Sequence, residues 1–175
     1  MNSHPERHTF FTREQIESTV NRLAVEIAQD YRDINPILVG ILKGVFIFIA
    51  DLVRCLDFPL EVEFIHLSSY GSGRQTSDRV KVVQRLSYPI KDRHVLVIED
   101  IIDTGITAAF LMDYLEKEKP ASLKLCTLLD KPSRRRKLLK IDYLGFTVPD
   151  KFLVGNGLDY DEKYRNLPDI CYLEE

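Results

Sequence analysis

Residues 95 to 108 read VLVIEDIIDTGITA, an order that calls for a chemical reason. An apolar run, Val95 to Ile98, suits a dry interior, yet Glu99, Asp100 and Asp103 follow at once. In the DTGIT portion Gly105 permits close backbone approach, and Thr104 and Thr107 supply hydroxyls. A helix beginning there would turn its free N–H groups outward, making an anion cradle suited to phosphate. The plainer alternative is that Asp103 or Thr104 simply caps that helix. Carboxylates beside a phosphate would repel it, so Glu99 and Asp100 are expected to face neutral hydroxyls or a divalent metal. A sugar phosphate satisfies both demands.

Two further groups stand at comparable places. Lys43-Gly44 follows the apolar run Ile37 to Leu42, and Lys131 follows the run Leu123 to Leu129. Competing motifs fit less well. VLVIED resembles a Walker B strand, but the chain holds no G-x-x-x-x-G-K-[ST]. D-T-G also occurs in aspartic proteases, which need two such carboxylates on an all-β frame, whereas this chain has one copy leading into a helix.

These groups need a scaffold that delivers them to one place. Thr12 and Gln15 form a capping box, and Ile16, Val20, Leu23, Ala24, Ile27 and Tyr31 follow at helical spacing. Asn35-Pro36 stops that element, Ile37 to Leu42 is a buried strand, and Val45 to Leu56 is long enough for a helix. Glu61 to Leu67 and Val80 to Leu86 read as strands of a long hairpin around SSYGSGRQTSD. Val95 to Ile98 is the next strand, and Ala108, Leu111, Met112 and Leu115 mark a helix that ends near Pro120. Leu123 to Leu129 is a strand, Tyr143 to Val148 and Phe152 to Val154 are short strands, and the end reads as irregular. Alternating helices and non-alternating apolar strands imply an α/β fold with a mostly parallel sheet covered on both faces. In such a sheet ligands gather beyond the carboxyl ends of the strands, so Lys43-Gly44, Glu99 to Thr107 and Lys131 are expected on one edge.

Composition sets limits on function. A chain of 175 residues, 45% hydrophobic and 29% charged, supports one domain, and a net charge of −3 gives no general footprint for nucleic acid or membrane. Cys55, Cys126 and Cys171 are odd in number and lack C-x-x-C spacing, which argues against a disulfide framework or a zinc site and fits a reducing cytoplasm. The first residues lack a secretory pattern. His4 and His8 lie in a Pro-containing tail where no helix holds them as a metal pair. The stretch 37 to 50 falls short of the roughly twenty apolar residues that span a bilayer.

The string VLVIEDIIDTGITA resembles the phosphoribosyl pyrophosphate motif of type I phosphoribosyltransferases. LKG at 42 to 44, SSY at 68 to 70, LLDKP at 128 to 132 and PDKFLVGNGLDYDEKYRNLP at 149 to 168 are similar to the hypoxanthine-guanine branch of that family. The resemblance implies a single domain over 1–175, with a small hood from the N-terminal segment and about 149–175 and a mobile loop at about 68–80. The implied reaction displaces pyrophosphate from C1 of phosphoribosyl pyrophosphate with N9 of a 6-oxopurine, hypoxanthine or guanine, giving IMP or GMP. Asp103 matches the family's general base toward purine N7. Thr104, Gly105, Ile106 and Thr107 match the 5′-phosphate cradle, and Glu99 and Asp100 serve the ribose hydroxyls, a Mg2+ shell, or both.

By the same resemblance Lys131 donates to the purine O6, Phe152 stacks on the base, and the Leu153 carbonyl accepts from its edge. Asp159 is implied beside the purine as a further Mg2+ ligand. Lys43 and Gly44 bind pyrophosphate through backbone N–H groups, and Arg165 contacts it; the peptide before Lys43 can be cis. Ser69 and Tyr70 begin the mobile loop that excludes water on closing. A homo-oligomer, dimer or tetramer, is expected. Asn156 departs from the family's bulkier aromatic, a change placed at the pocket rim and bearing on base preference. One rival reading is a regulator that keeps the fold and binds RNA or DNA through Lys131, Arg134, Arg135, Arg136, Lys137 and Lys140.

Overall fold

The computed structural model describes residues 6–69 and 80–174. Tyr70 therefore lies outside the described residues, with most of the expected mobile loop. Helix α1 (Arg13–Tyr31) begins as its sequence dictates: Thr12 Oγ1 accepts from Gln15 N, and Gln15 Oε1 accepts from Thr12 N at 2.9 Å. All six residues spaced for its inner face are buried. Strand β2 (Ile37–Leu42) leads through a short turn into α2 (Phe46–Arg54). Strands β3 (Glu61–Ser69) and β4 (Val80–Gln84) pair antiparallel as the expected hairpin.

The centre is made by β5 (His94–Ile102), α3 (Ile106–Glu116), β6 (Ser122–Asp130) and β7 (Tyr143–Thr147). These strands form a six-stranded sheet in the order β4-β3-β2-β5-β6-β7, parallel except at the β3–β4 hairpin. Alternate residues of each inner strand feed two separate cores. Leu38, Leu96, Ile98 and Leu128 pack toward Leu23, Ile27, Phe48 and Leu52 of α1 and α2. Ile37, Val39, Val95, Val97 and Leu125 pack toward Leu111 and Leu115 of α3. This double coverage is why the strands read as unbroken apolar runs.

Two expectations are corrected here. The N-terminal tail and the irregular C-terminal end contain strands: β1 (Arg7–Phe11) and β9 (Ile170–Leu173) join β8 (Leu153–Val154) in a second, antiparallel sheet ordered β1-β9-β8. Arg7 pairs with Leu173, a long-range contact that no local periodicity announces. Phe11 stacks on Phe146 of β7 at 4.0 Å and ties this small sheet to the large one.

The second correction concerns the acids. They were expected beyond the buried strand, but β5 runs on to Ile102, so Glu99 and Asp100 lie within it. The reason is a staggered ladder. The pairing of β5 with β2 ends at Gly40↔Ile98, whereas its pairing with β6 continues through Glu99↔Thr127, Ile101↔Leu129 and Ile102↔Asp130. The acids are held by a strand on one side while the other side has opened into a site.

Candidate functional site

The carboxyl ends of β2, β5 and β6 deliver Lys43, Asp103 and Lys131 to one edge of the sheet. A cavity of about 660 Å³ lies there, lined by Asp100, Asp103, Lys131, Phe152, Leu153 and Asp159 together with Arg134, Asp150 and the β9 residues Tyr172 and Leu173. The small sheet thus supplies the roof. A smaller cavity of about 140 Å³ adjoins it, sharing Asp103 and lined also by Glu99, Thr104, Gly105 and Thr107.

Glu99 and Asp100 open into different cavities because successive residues of a strand point to opposite faces. Burial pushes the Glu99 carboxyl well above the usual range, with the Asp100 charge adding to the effect, and its Oε2 is shielded without a hydrogen-bond partner. Burial also pushes the Asp100 carboxyl up to about 6, although it accepts from Ile101 N at 2.9 Å and feels Arg165. Arg165 offsets the burial of Asp100 only in part, and desolvation dominates at both acids. Among the described residues, His8 of β1 and the flanking Glu6 and Glu174 bring three metal-ligating atoms within 4.8 Å of one another, while Glu99, Asp100 and Asp159 form no such trio.

Gly44 meets Asp100 directly. A Cβ at Gly44 would lie 1.8 Å from Asp100 Oδ2, so a side chain is excluded while that carboxylate stays where it is. The Leu42–Lys43 peptide is cis. Lys43 Nζ pairs with Glu162 Oε1 at 3.0 Å, and Arg165 Nη2 reaches Glu162 Oε2 at 3.1 Å and Asp159 Oδ1 at 2.9 Å. Arg165 also donates to the Gly157 carbonyl at 2.8 Å. Lys43, Gly44, Asp159 and Arg165, which are distant in sequence, therefore form one connected group.

At the start of α3, Gly105 has φ +77, a left-handed conformation that a Cβ would strain. The close approach read from sequence is made by the chain itself: a Cβ there would meet the Lys137 carbonyl at 2.9 Å and Arg135 Cδ at 2.8 Å. Thr104 Oγ1 accepts from Ile106 N only at 3.4 Å, so side-chain capping is weak. The Ile106 side chain is buried in the core, leaving its backbone to the cradle.

Lys131 is 5% exposed, and its Nζ donates to the Lys151 carbonyl at 2.9 Å. An ammonium carries three donors, so this bond fixes its direction and leaves two. Phe152 is half exposed, and Tyr160 braces it edge-on at 5.4 Å. Ser69 ends β3 opposite Val80.

Sequence reasoning missed several members of the site. Arg134 Nε lies 3.2 Å from Asp103 Oδ1, and its Nη1 lies 3.5 Å from Asp150. The Asp103 oxygen is shielded and makes no hydrogen bond, so this contact is an ion pair without hydrogen-bond alignment. Arg134 was legible only as part of the basic run offered for nucleic acid. Much of that run is committed internally: Lys131 to Lys151, Arg134 to Asp103, Arg135 to Asp130, and Lys140 to Asp142. Glu162 was also missed, although it sits three residues from Arg165. Asn156 is a correction: it borders a different cavity of about 450 Å³ between α1, α2 and residues 165–168, not the rim of the large one.

The Phosphoribosyl transferase domain family matches residues 9–162, and the chain belongs to that family. It is 42% identical to the hypoxanthine-guanine phosphoribosyltransferase of Bacillus subtilis, with 99% of this chain and 97% of that protein covered. It is 48% identical to the enzyme of the same name from Aquifex aeolicus, covering 93% and 92%. A crystal structure of a hypoxanthine-guanine phosphoribosyltransferase from Bacillus anthracis superposes with a TM-score of 0.92 at 42% identity, covering 98% of this chain and all of that one. The fold is that of type I phosphoribosyltransferases, as the sequence implied.

Proposed function

We propose that this protein transfers the 5-phosphoribosyl group from phosphoribosyl pyrophosphate to N9 of a 6-oxopurine, hypoxanthine or guanine, releasing pyrophosphate and IMP or GMP. The observation that carries this reading is the joint presence of a buried ammonium, a carboxylate and a flat exposed ring, Lys131, Asp103 and Phe152, around one cavity. Lys131 donates to the purine O6. An amino group there would leave donor facing donor, which discriminates against adenine. Phe152 stacks on the base, the Leu153 carbonyl meets its edge, and Asp103 holds or takes the N7 proton.

Thr104, Gly105, Ile106 and Thr107 hold the 5′-phosphate at the head of α3. Glu99, in the same small cavity, faces the ribose. Lys43, Gly44 and Arg165 hold the pyrophosphate group. Asp100 and Asp159 suit Mg2+: an ion that takes one or two carboxylates plus substrate phosphates would supply the positive charge that favours the ionised form of the desolvated Asp100. When bound, Mg2+ supplies charge neutralisation on the leaving pyrophosphate. The small sheet is the hood of the site. Ser69 and Tyr70 match the family's motif for excluding water from the reacting carbon. Free Cys55, Cys126 and Cys171 suit the cytoplasm, and a homo-oligomer, dimer or tetramer, completes the reading.

The test is a substrate panel: purified protein with phosphoribosyl pyrophosphate and Mg2+, offered hypoxanthine, guanine, xanthine or adenine, with nucleotide formation followed. Turnover of hypoxanthine or guanine is expected. No turnover of any oxopurine refutes the proposal, and turnover of adenine alone refutes the role of Lys131.

A further inference from the structure

The proposed pyrophosphate site is already filled by a carboxylate. Glu162 bridges Lys43 Nζ at 3.0 Å and Arg165 Nη2 at 3.1 Å through its two separate oxygens. That is the geometry by which two oxygens of a condensed phosphate would bridge the same cations. Lys43 and Arg165 come from opposite ends of the chain and share this one exposed anion. The Arg165 side chain is mostly buried, and each of its terminal nitrogens has a partner: Nη1 on the Gly157 carbonyl, Nη2 on Glu162 and Asp159. A pyrophosphate that takes the outward Nη2 of Arg165 displaces Glu162 from it.

We propose that Glu162 is an internal stand-in for pyrophosphate, holding Lys43 and Arg165 in place in the unliganded site and giving way when the diphosphate arm of the substrate arrives. The assignment rests on the pyrophosphate role given to those two residues under the proposed function. Glu162 is suited to leaving. Its side chain is 63% exposed, so the freed carboxylate moves into water without a desolvation cost. Its backbone stays anchored, because Glu162 N donates to Asp159 Oδ2 at 2.9 Å. The released side chain thus remains tethered beside the site and can reclaim the cations as pyrophosphate departs. Lys43, and then Arg165, hold its carboxyl below the usual carboxylate range, so it is anionic at neutral pH.

An internal competitor lowers the apparent affinity for the external anion by the fraction of molecules in which it is seated. Removing the Glu162 charge should therefore tighten condensed-phosphate binding. Both ion pairs are exposed, which limits the gain to about three- to tenfold at low salt. The gain should shrink as salt screens them.

The experiment is calorimetric titration of Mg2+-pyrophosphate and of phosphoribosyl pyrophosphate into the full chain and into Glu162→Gln. A second variant, Glu162→Asn, removes the charge with a residue that tolerates the φ of +60 at this position. In both variants Kd for pyrophosphate and KM for phosphoribosyl pyrophosphate should fall together, KM for hypoxanthine should hold, and the thermal midpoint should stay near that of the parent. Unchanged or weaker pyrophosphate binding in the folded variants overturns the stand-in and leaves the proposed function intact. If the parent chain binds neither ligand, the functional reading itself fails and this inference with it.

Discussion

The proposed purine and pyrophosphate ends of the site, the first lining the large cavity and the second on the turns around Lys43 and Arg165, are built on opposite plans. At the purine end Lys131 is buried at the close of a central strand and aimed by one hydrogen bond to the Lys151 carbonyl, while Tyr160 braces Phe152. At the pyrophosphate end the cations sit on turns, Lys43 is largely exposed, and Glu162 occupies them. Asp161, Glu162 and Tyr164 all have positive φ, which marks a tight irregular loop. A donor that reads an exocyclic oxygen discriminates best when it cannot move, whereas a site that releases a highly charged product gains from ligands that can be exchanged. On the proposed function, recognition falls to the rigid end and product release to the exchangeable one.

This contrast can be broken by substitution. The largest effect is expected between the two ends: Asp103→Asn should lower kcat by about 10²- to 10⁴-fold with phosphoribosyl pyrophosphate binding retained, measured by single-turnover kinetics and calorimetry. Near-normal turnover would remove Asp103 from the base role. At the rigid end, Lys131→Met should cut kcat/KM for hypoxanthine by about 10- to 100-fold while sparing the affinity for phosphoribosyl pyrophosphate. A loss shared equally by both substrates would mean that Lys131 supports the fold and not recognition.

At the exchangeable end, Gly44→Ala puts a methyl against the Asp100 carboxylate and should raise KM for phosphoribosyl pyrophosphate by about tenfold. If KM for hypoxanthine rises instead, the assignment of the two ends is reversed.

A last effect is read in stability and not in turnover, as a pH dependence. The Asp100 carboxyl has an ordinary value of 3.8 and is raised to about 6 in the fold. Between those values the folded protein keeps a proton that the unfolded chain releases, so stability should fall as pH rises through the window and level off above it. The loss from Asp100 is at most about 3 kcal/mol, and Glu99 adds to it with the same sign. Asp100→Asn should flatten the slope in thermal unfolding between pH 4 and 6. An unchanged slope would show that Asp100 is not the titrating group.

Much of the sheet was legible because its signals are local. The Thr12 capping box, the helical spacing of α1 and the apolar runs of β2, β5 and β6 each depend on residues within one element. The placement of Lys43, Asp103 and Lys131 on one edge followed from the parallel order alone. Strands β1 and β9 were not legible, because each is short and finds its partner across almost the whole chain. Arg134 and Glu162 were not legible either, since a charge run reads as a solvated face until its partners are known.

The sequence by itself determined the chemistry on offer, the mostly parallel α/β frame and the edge at which ligands meet it. These depend on residue type and on periodicities of two and 3.6, which the chain carries without reference to anything distant. The tertiary structure decided that Glu99 and Asp100 lie inside β5 and serve different cavities, because β2 stops pairing at Ile98 while β6 pairs on to Ile102. It also decided that the partner Gly44 makes room for is Asp100, and that Glu162 closes on Lys43 and Arg165. The ladder of β5, the approach of Gly44 to Asp100 and the reach of Glu162 to Lys43 all join segments far apart in sequence, fixed by packing and register and not by any local pattern.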